Sequence, residues 1–323
     1  MLAGIGNPIT ELIFVDEDVV DLDDGTIPTT LRLDSFNINN NNIQLKLCPE
    51  HLPSLSSLRI CCAQEIKPNS LPPSLTHFAA SVETVLEPGS LPPHLTCLRL
   101  YMTSEAQVLL PGLLPPKLIE LDLGDRFCTV IPPGALPSSL TSLSLGHRFN
   151  HPLTQGVLPP SLRILELGMS FRQTLAPGDL PSSLSKLVTR HELMNIVIGS
   201  LPSSLMDLTT ATVYALEHGA LPASLKHVRF LSKPNLEVGS LPRSLESLTF
   251  VKLLYCWKPW IIPAGLKKLT LDSKFDHRIL PHDLPNGLTD LDLGHAFDHP
   301  LEPFTLPDKI TNKRLSEVPY QTD

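Results

Sequence analysis

Leucine recurs in this chain with two nested periods. Locally, Leu140, Leu143 and Leu145 fall as Leu-x-x-Leu-x-Leu, and the triplet returns as Leu162, Leu165 and Leu167. The last two leucines of each triplet alternate with variable residues, the period of a strand with one buried face. At longer range the whole phrase repeats. Each unit opens on a Leu or Ile that is almost always followed by proline: Ile27, Leu52, Leu71, Leu91, Leu114, Leu136, Leu158, Leu180, Leu201, Leu221, Leu241, Ile262, Leu284 and Leu306. After Leu52 these anchors lie 19 to 23 residues apart, and a degenerate unit opens at Ile5. The pattern predicts a β-rich solenoid of about 15 units of 19–25 residues. It should be a leucine-rich-repeat-like right-handed coil with short parallel strands on its concave side. One unit cannot bury its own leucines, but stacked units bury each other's.

The remaining positions of the unit say what lies opposite the strand. Proline after the anchor excludes that position from a helix interior and from a central ladder. The convex side is therefore expected to be extended or a single 3₁₀ turn. Glycine two residues before the anchor, as at Gly89, Gly112, Gly134, Gly156 and Gly178, predicts a turn with positive φ. Phenylalanine thirteen residues after the anchor, at Phe127, Phe149, Phe171, Phe275 and Phe297, should fill the interior behind the strand. Asn150, Asp276 and Asp298 follow three of these, where turn chemistry is favoured. One solenoid over residues 1–323 is expected. Its units are degenerate over 1–70 and regular over 71–305, with a C-terminal cap over 306–323. In that cap Lys313 stands where a strand leucine belongs. "INNNNI" (38–43) reads as a polar insertion. The first coil, with Ile9, Leu12 and Phe14, lacks a comparable polar cap, so either self-association through it or a further partner covering it is expected.

The phrases "FNHPL" (149–153) and "FDHPL" (297–301), with the recurrent G-x-LP-x-SL-x-x-L-x-LG, resemble the FNIP repeat family. The resemblance is most specific over residues 112–184 and 262–301; between 187 and 260 the Phe-Asn dipeptide is absent. It implies a fold similar to leucine-rich repeats. Some proteins resembling this family carry an F-box and serve as substrate receptors of ubiquitin ligases. Repeats here begin by about residue 5, so that role would need a separate partner chain.

Composition narrows the function classes. Hydrophobic residues make up 42% of the 323 positions, which separates this proline-rich chain from disordered ones. The net charge of −8 and the absence of a basic stripe argue against nucleic acid as a partner. The N-terminus has no basic n-region, and no stretch approaches eighteen apolar residues, so neither a signal peptide nor a membrane span is expected. Cys48, Cys61, Cys62, Cys97, Cys128 and Cys256 are scattered and form no C-x-x-C, which predicts free thiols and a cytoplasmic setting.

Candidate chemistry is sparse. None of the nucleotide-binding, hydrolase or zinc-protease motifs occurs, so no enzyme and no cofactor are expected. His147, His151, His277, His295 and His299 recur in matched places, but repetition alone stacks like residues, and no metal site is assigned. The expected function is a non-enzymatic protein–protein interaction scaffold with its partner on the concave strand face. The alternatives are a passive repeat protein without a dedicated ligand and, third, a carbohydrate-active or other enzyme. Charges alternating with the strand leucines form bands by sign. Glu120 and Asp122 are acidic; Lys186, Arg190, His227 and Arg229 are basic. Complementary charge of this kind selects partners. "YCWKPW" adds Trp257 and Trp260, read either as interior plugs replacing phenylalanine or as exposed anchors for a partner.

Overall fold

The computed structural model describes residues 54–64, 66–82, 86–102, 108–192, 196–211, 216–252 and 258–314, together with two short N-terminal strands. Two compact units divide the chain, Met1–Leu162 and Arg163–Asp323. In the first, strands β1 (Glu11–Phe14), β2 (Ser35–Ile38), β3 (Ser57–Gln64), β4 (His77–Val82), β5 (Cys97–Met102), β6 (Glu120–Asp122) and β7 (Ser142–Ser144) pair in chain order, all parallel. In the second, β8 (Ile164–Leu167), β9 (Lys186–Thr189), β10 (Asp207–Thr210), β11 (His227–Phe230), β12 (Ser247–Phe250), β13 (Lys268–Thr270), β14 (Asp290–Asp292) and β15 (Asn312–Arg314) do the same. A short 3₁₀ turn at Pro259–Ile261 is the one helical element among the described residues. The expected parallel-strand solenoid is thus what the chain builds.

Register stacks equivalent residues into columns. Leu121 pairs with Leu143, and Leu165 with Leu187, each fully or almost fully buried. Phe127, Phe149, Phe171 and Phe275 are each 1% exposed, as expected of the interior column. Phe127 stacks on Phe149 at 5.9 Å, and Phe275 on Phe297 at 6.1 Å, with rings nearly parallel. Between residues 187 and 260, where that column lapses, Phe230 and Phe250 stack at 5.6 Å from strand positions instead. One coil buries its apolar surface almost wholly against its neighbours.

Proline and glycine build the corners. The proline after each anchor opens a four-residue turn whose carbonyl accepts the N–H of the first core leucine, as from Leu140 to Pro137 and from Leu162 to Pro159, both 3.1 Å. A second turn precedes the anchor. Ala135 donates to Pro132 at 3.2 Å across Pro133 and Gly134, whose φ is +79°. Proline then left-handed glycine is the type II combination. A different glycine column is demanded by contact rather than by turn type. A Cβ on Gly146 would lie 2.0 Å from the Gly124 carbonyl oxygen, and one on Gly294 would lie 2.2 Å from that of Asp272.

The serine of the Leu-Pro-x-Ser-Leu phrase is the least obvious structural residue. Its hydroxyl donates to the carbonyl of the first core leucine one coil earlier. Ser161 reaches Leu140 at 2.7 Å, Ser204 reaches Leu184 at 2.6 Å, Ser224 reaches Leu205 at 2.7 Å and Ser244 reaches Leu225 at 2.8 Å. At the same place stand Gly265 and Gly287, which lack the hydroxyl.

Several expectations fall on residues outside those described: the insertion at 39–43, Cys48, Cys256 and Trp257. The same holds for the side chains of Ile9, Leu12 and Phe14. Cys61 and Cys62 are placed by backbone alone, at the register shift between Ile60 and Ala63. Lys313 pairs with Leu291 in register and is exposed.

Three substitutions test this account by urea denaturation. Gly112→Ala has no atom within 4 Å of the new methyl, so it should lose only about 1–2 kcal/mol for the left-handed backbone. Gly146→Ala should lose clearly more, because the Gly124 backbone must also move. Gly287→Ser should gain about 1 kcal/mol, by restoring the missing bond to the Leu266 carbonyl and stiffening the unfolded chain.

Candidate interaction surface

Along each strand the inward residues repeat and the outward ones do not. Proceeding through the second unit, the outward pairs are Ile164 and Glu166, Lys186 and Val188 (itself buried), Asp207 and Thr209, His227 and Arg229, Ser247 and Thr249, Lys268 and Thr270, Asp290 and Asp292. Parallel register holds these side chains in two straight columns about 4.8 Å apart per step.

The structure brings some candidate residues together and separates others. His227 and Arg229 share the outward face of β11, and both are exposed. Lys186 stands in the same column as His227 but two strands away, with Asp207 between them. Arg190 lies just past β9, and its guanidinium sits 4.0 Å from Glu166. The basic band is therefore concentrated on β11 and interleaved with acid elsewhere.

The acidic pair on β6 has local partners. Asp122 accepts the Gly124 N–H at 2.9 Å, just as Asp292 accepts that of Gly294 at 3.0 Å. These carboxylates hold the tight glycine corner while their remaining lone pairs face outward. Glu120 lies 3.6 Å from the Cys97 thiol. Burial, then the Glu120 charge, pushes that thiol's pKa up, so it rests as a neutral thiol rather than as a nucleophile.

The recurrent histidines join coils. Nε2 of His151 bonds the Cys128 carbonyl at 2.6 Å, and Nε2 of His299 bonds the Asp276 carbonyl at 3.2 Å. Both rings sit edge-on against the phenylalanine two residues before. Among the described residues, no group of three or more His, Cys, Asp or Glu side chains is arranged to hold a metal ion.

Trp260 corrects one expectation. It does not plug the interior; it is 65% exposed, within the 3₁₀ turn Pro259–Ile261. It occupies the place that glycine holds in most other units. Without glycine the turn gives up left-handed φ and tightens into 3₁₀ geometry.

A charge ladder went unnoticed in the sequence. Glu246 lies between Lys226 at 2.9 Å and Lys267 at 2.8 Å, on three successive coils. Hydrogen bonds from Lys267 and Lys226, with their charges, lower its pKa to about 2. Its signal was a Lys-Glu-Lys column visible only after the units are aligned.

Comparison with known proteins agrees with this geometry. The FNIP Repeat family model matches residues 107–148, 149–188 and 275–312. No curated protein matches the sequence. Among solved structures the chain is similar to CroV588, a circular leucine-rich-repeat protein, with 25% identity and a TM-score of 0.69. The match covers 95% of this chain and 53% of that one. It is also similar in fold to a chain of the TLR13–ssRNA13 complex, with 17% identity, a TM-score of 0.59 and the same coverages. The chain spans about half the length of these two structures. No helix among the described residues is long and apolar enough to cross a membrane.

Because the folded pKa of Glu246 is depressed, its stabilising effect is complete above the ordinary glutamate range and disappears as the pH falls through about 2. A carboxyl NMR titration should place the Glu246 midpoint near that value. High salt should move it upward, since exposed charges are screened. Glu246→Gln should remove this part of the acid dependence.

Proposed function

We propose that this chain, whose FNIP repeats stack as a leucine-rich-repeat-like solenoid, is a non-enzymatic scaffold that binds a protein partner on its outward strand face. One observation carries the reading. Packing explains why the inward columns repeat, and it places no demand on the outward ones. Yet within the second unit the outward columns change identity at almost every coil, from Lys186 and Asp207 through His227 and Arg229 to Asp290 and Asp292. A surface serving only solubility has no reason to mix aliphatic, hydroxyl, acidic and basic groups in fixed register. Rigid columns of differing side chains are how repeat proteins select a partner.

The partner's main contact is with β11, where His227 and Arg229 stand side by side. Asp207, Asp290 and Asp292 on the same face, with the net charge of −8, favour protein over a phosphate backbone. The TLR13 complex named above holds single-stranded RNA; for this chain the acidic columns point elsewhere. Substrate recognition for a ubiquitin ligase is one setting such a scaffold fits. A cytoplasmic setting fits the scattered cysteines, which form no C-x-x-C.

Pulldown from native lysate would identify the partner, and affinities would then be measured with it. Arg229→Glu with Lys186→Glu should weaken binding by about 1–3 kcal/mol if the charges are desolvated in the complex. Reversing Arg243, which lies on a turn, should change little. Equal affinity for the strand-face variant and the wild type would reject this face as the binding surface.

A further inference from the structure

The position two residues before the anchor is glycine in most units, because the type II turn there needs positive φ. Gly178, Gly199, Gly219 and Gly239 hold it at +80° to +94° through four successive coils. Trp260, His282 and Phe304 then occupy it in the next three. His282 and Phe304 still adopt φ of +74° and +68°. For a bulky aromatic this is a genuine outlier, and strain of this kind gathers at functional sites. Nor does the strain at Phe304 serve packing, since that side chain is 84% exposed; Trp260, unstrained in its 3₁₀ turn, is also 65% exposed. Val238, one residue earlier in its own turn, extends the row at 71% exposure. Four successive turns therefore present an apolar and aromatic edge, roughly 14 Å long at the strand spacing.

A recess of about 140 Å³ opens at the end of this row. The Phe304 side chain, Leu306 and Pro307 supply its apolar walls. Asn286 and the exposed Asp308 supply its polar rim, and Asp308 is the one carboxylate in its lining. Thr305 also lines it, is 1% exposed, and its Oγ1 has no hydrogen-bond partner. In equivalent places Ser90 and Ser240 donate to carbonyls of the preceding coil, at Ile66 and Leu216. Thr305 alone of these three is left with an unused acceptor and donor. Beside the recess, Glu302 is paired with Arg278, and Asp283 accepts the Leu280 N–H.

We infer that the turn edge formed by Val238, Trp260, His282 and Phe304 is a second interaction surface, which takes an extended basic protein segment with an arginine in the recess beside Thr305 and Asp308. A guanidinium stacks on an aromatic face and forks to a carboxylate, and this recess offers both, Phe304 and Asp308. Apolar residues of the same segment lie along Trp260 and Val238. This surface is separate from the strand face and does not depend on that assignment.

The test uses the full chain and a fluorescein-labelled peptide that alternates arginine and leucine, read by anisotropy. A glutamate–leucine peptide is the control. The arginine peptide should bind, and Phe304→Gly and Asp308→Asn should each weaken it by about tenfold. Trp260→Ser should weaken it too. Phe304→Gly should also raise the melting temperature, because glycine suits that backbone; a residue kept for stability would lower it. Arg229→Glu on the strand face should leave peptide binding unchanged. Equal binding by wild type and Phe304→Gly, equal binding of the glutamate peptide, or loss of binding in Arg229→Glu would each overturn the inference.

Discussion

Everything in this molecule depends on one coil lying directly against the next through its backbone. At the start of each strand a single carbonyl accepts two N–H groups from the following coil. Thr76 takes those of Thr96 and Cys97, and Lys226 takes those of Glu246 and Ser247, all at 2.8–3.0 Å. Parallel pairing across short corners, with no α-helix among the described residues, leaves little slack between coils. Whatever projects along the stack must vanish, which is why Gly124, Gly146 and Gly294 have no side chain to lose. Whatever can reach back a short way becomes useful. The serine hydroxyls, Asp122 and Asp292, and the ring nitrogens of His151 and His299 all satisfy backbone groups at coil or corner boundaries. A buried carbonyl left without such a partner is expensive.

That dependence explains what was legible in the sequence. The leucine triplet, the proline corner, the left-handed glycine and the phenylalanine plug each recur in many coils, so repetition exposed them. The fold and its register could be read because one packing problem is solved many times. Residues whose purpose lies in the contact between two particular coils were harder to see. Lys226, Glu246 and Lys267 lie about twenty residues apart, and nothing in a linear reading joins them. Arg190 was grouped with Lys186 by charge and proximity in sequence, but its geometry directs it to Glu166 on the coil before. Trp260 could be read from chemistry alone either as a stand-in for the phenylalanine plug or as an exposed anchor. Its place in the unit is the glycine column, and turn geometry decides its exposure.

The candidate strand face shows the same division. Neighbours along a strand, such as His227 and Arg229, were correctly associated because alternation fixes their side. Neighbours across strands need the register, and there Asp207 separates Lys186 from His227. Charge bands drawn along a sequence merge residues that the ladder interleaves. The acidic residues carry a further ambiguity. Asp122 resembles a recognition group in isolation, yet its bond to the Gly124 N–H gives it a structural duty in the corner. An outward column is thus informative about binding only where no neighbouring backbone group claims the side chain. By that criterion His227 and Arg229 carry more weight than Asp122 or Asp292.

The columns also differ in how far they restrict their occupants. Inward positions accept only apolar volume, and the corner glycines accept no side chain. Outward strand positions accept many side chains without strain, so packing leaves their identity to recognition. The turn position before the anchor lies between these limits: a side chain has room there, but the backbone resists it. Trp260 meets the conflict by changing the turn to 3₁₀, whereas His282 and Phe304 keep the turn and accept the left-handed backbone. Two different local solutions lead to the same outcome, a large ring held outside the core. Drift in a repeat array would favour glycine at such a place, since every unit supplies a copy to return to. Persistence of large side chains in three adjacent units marks this edge as the part of the solenoid where local stability yields to something other than packing.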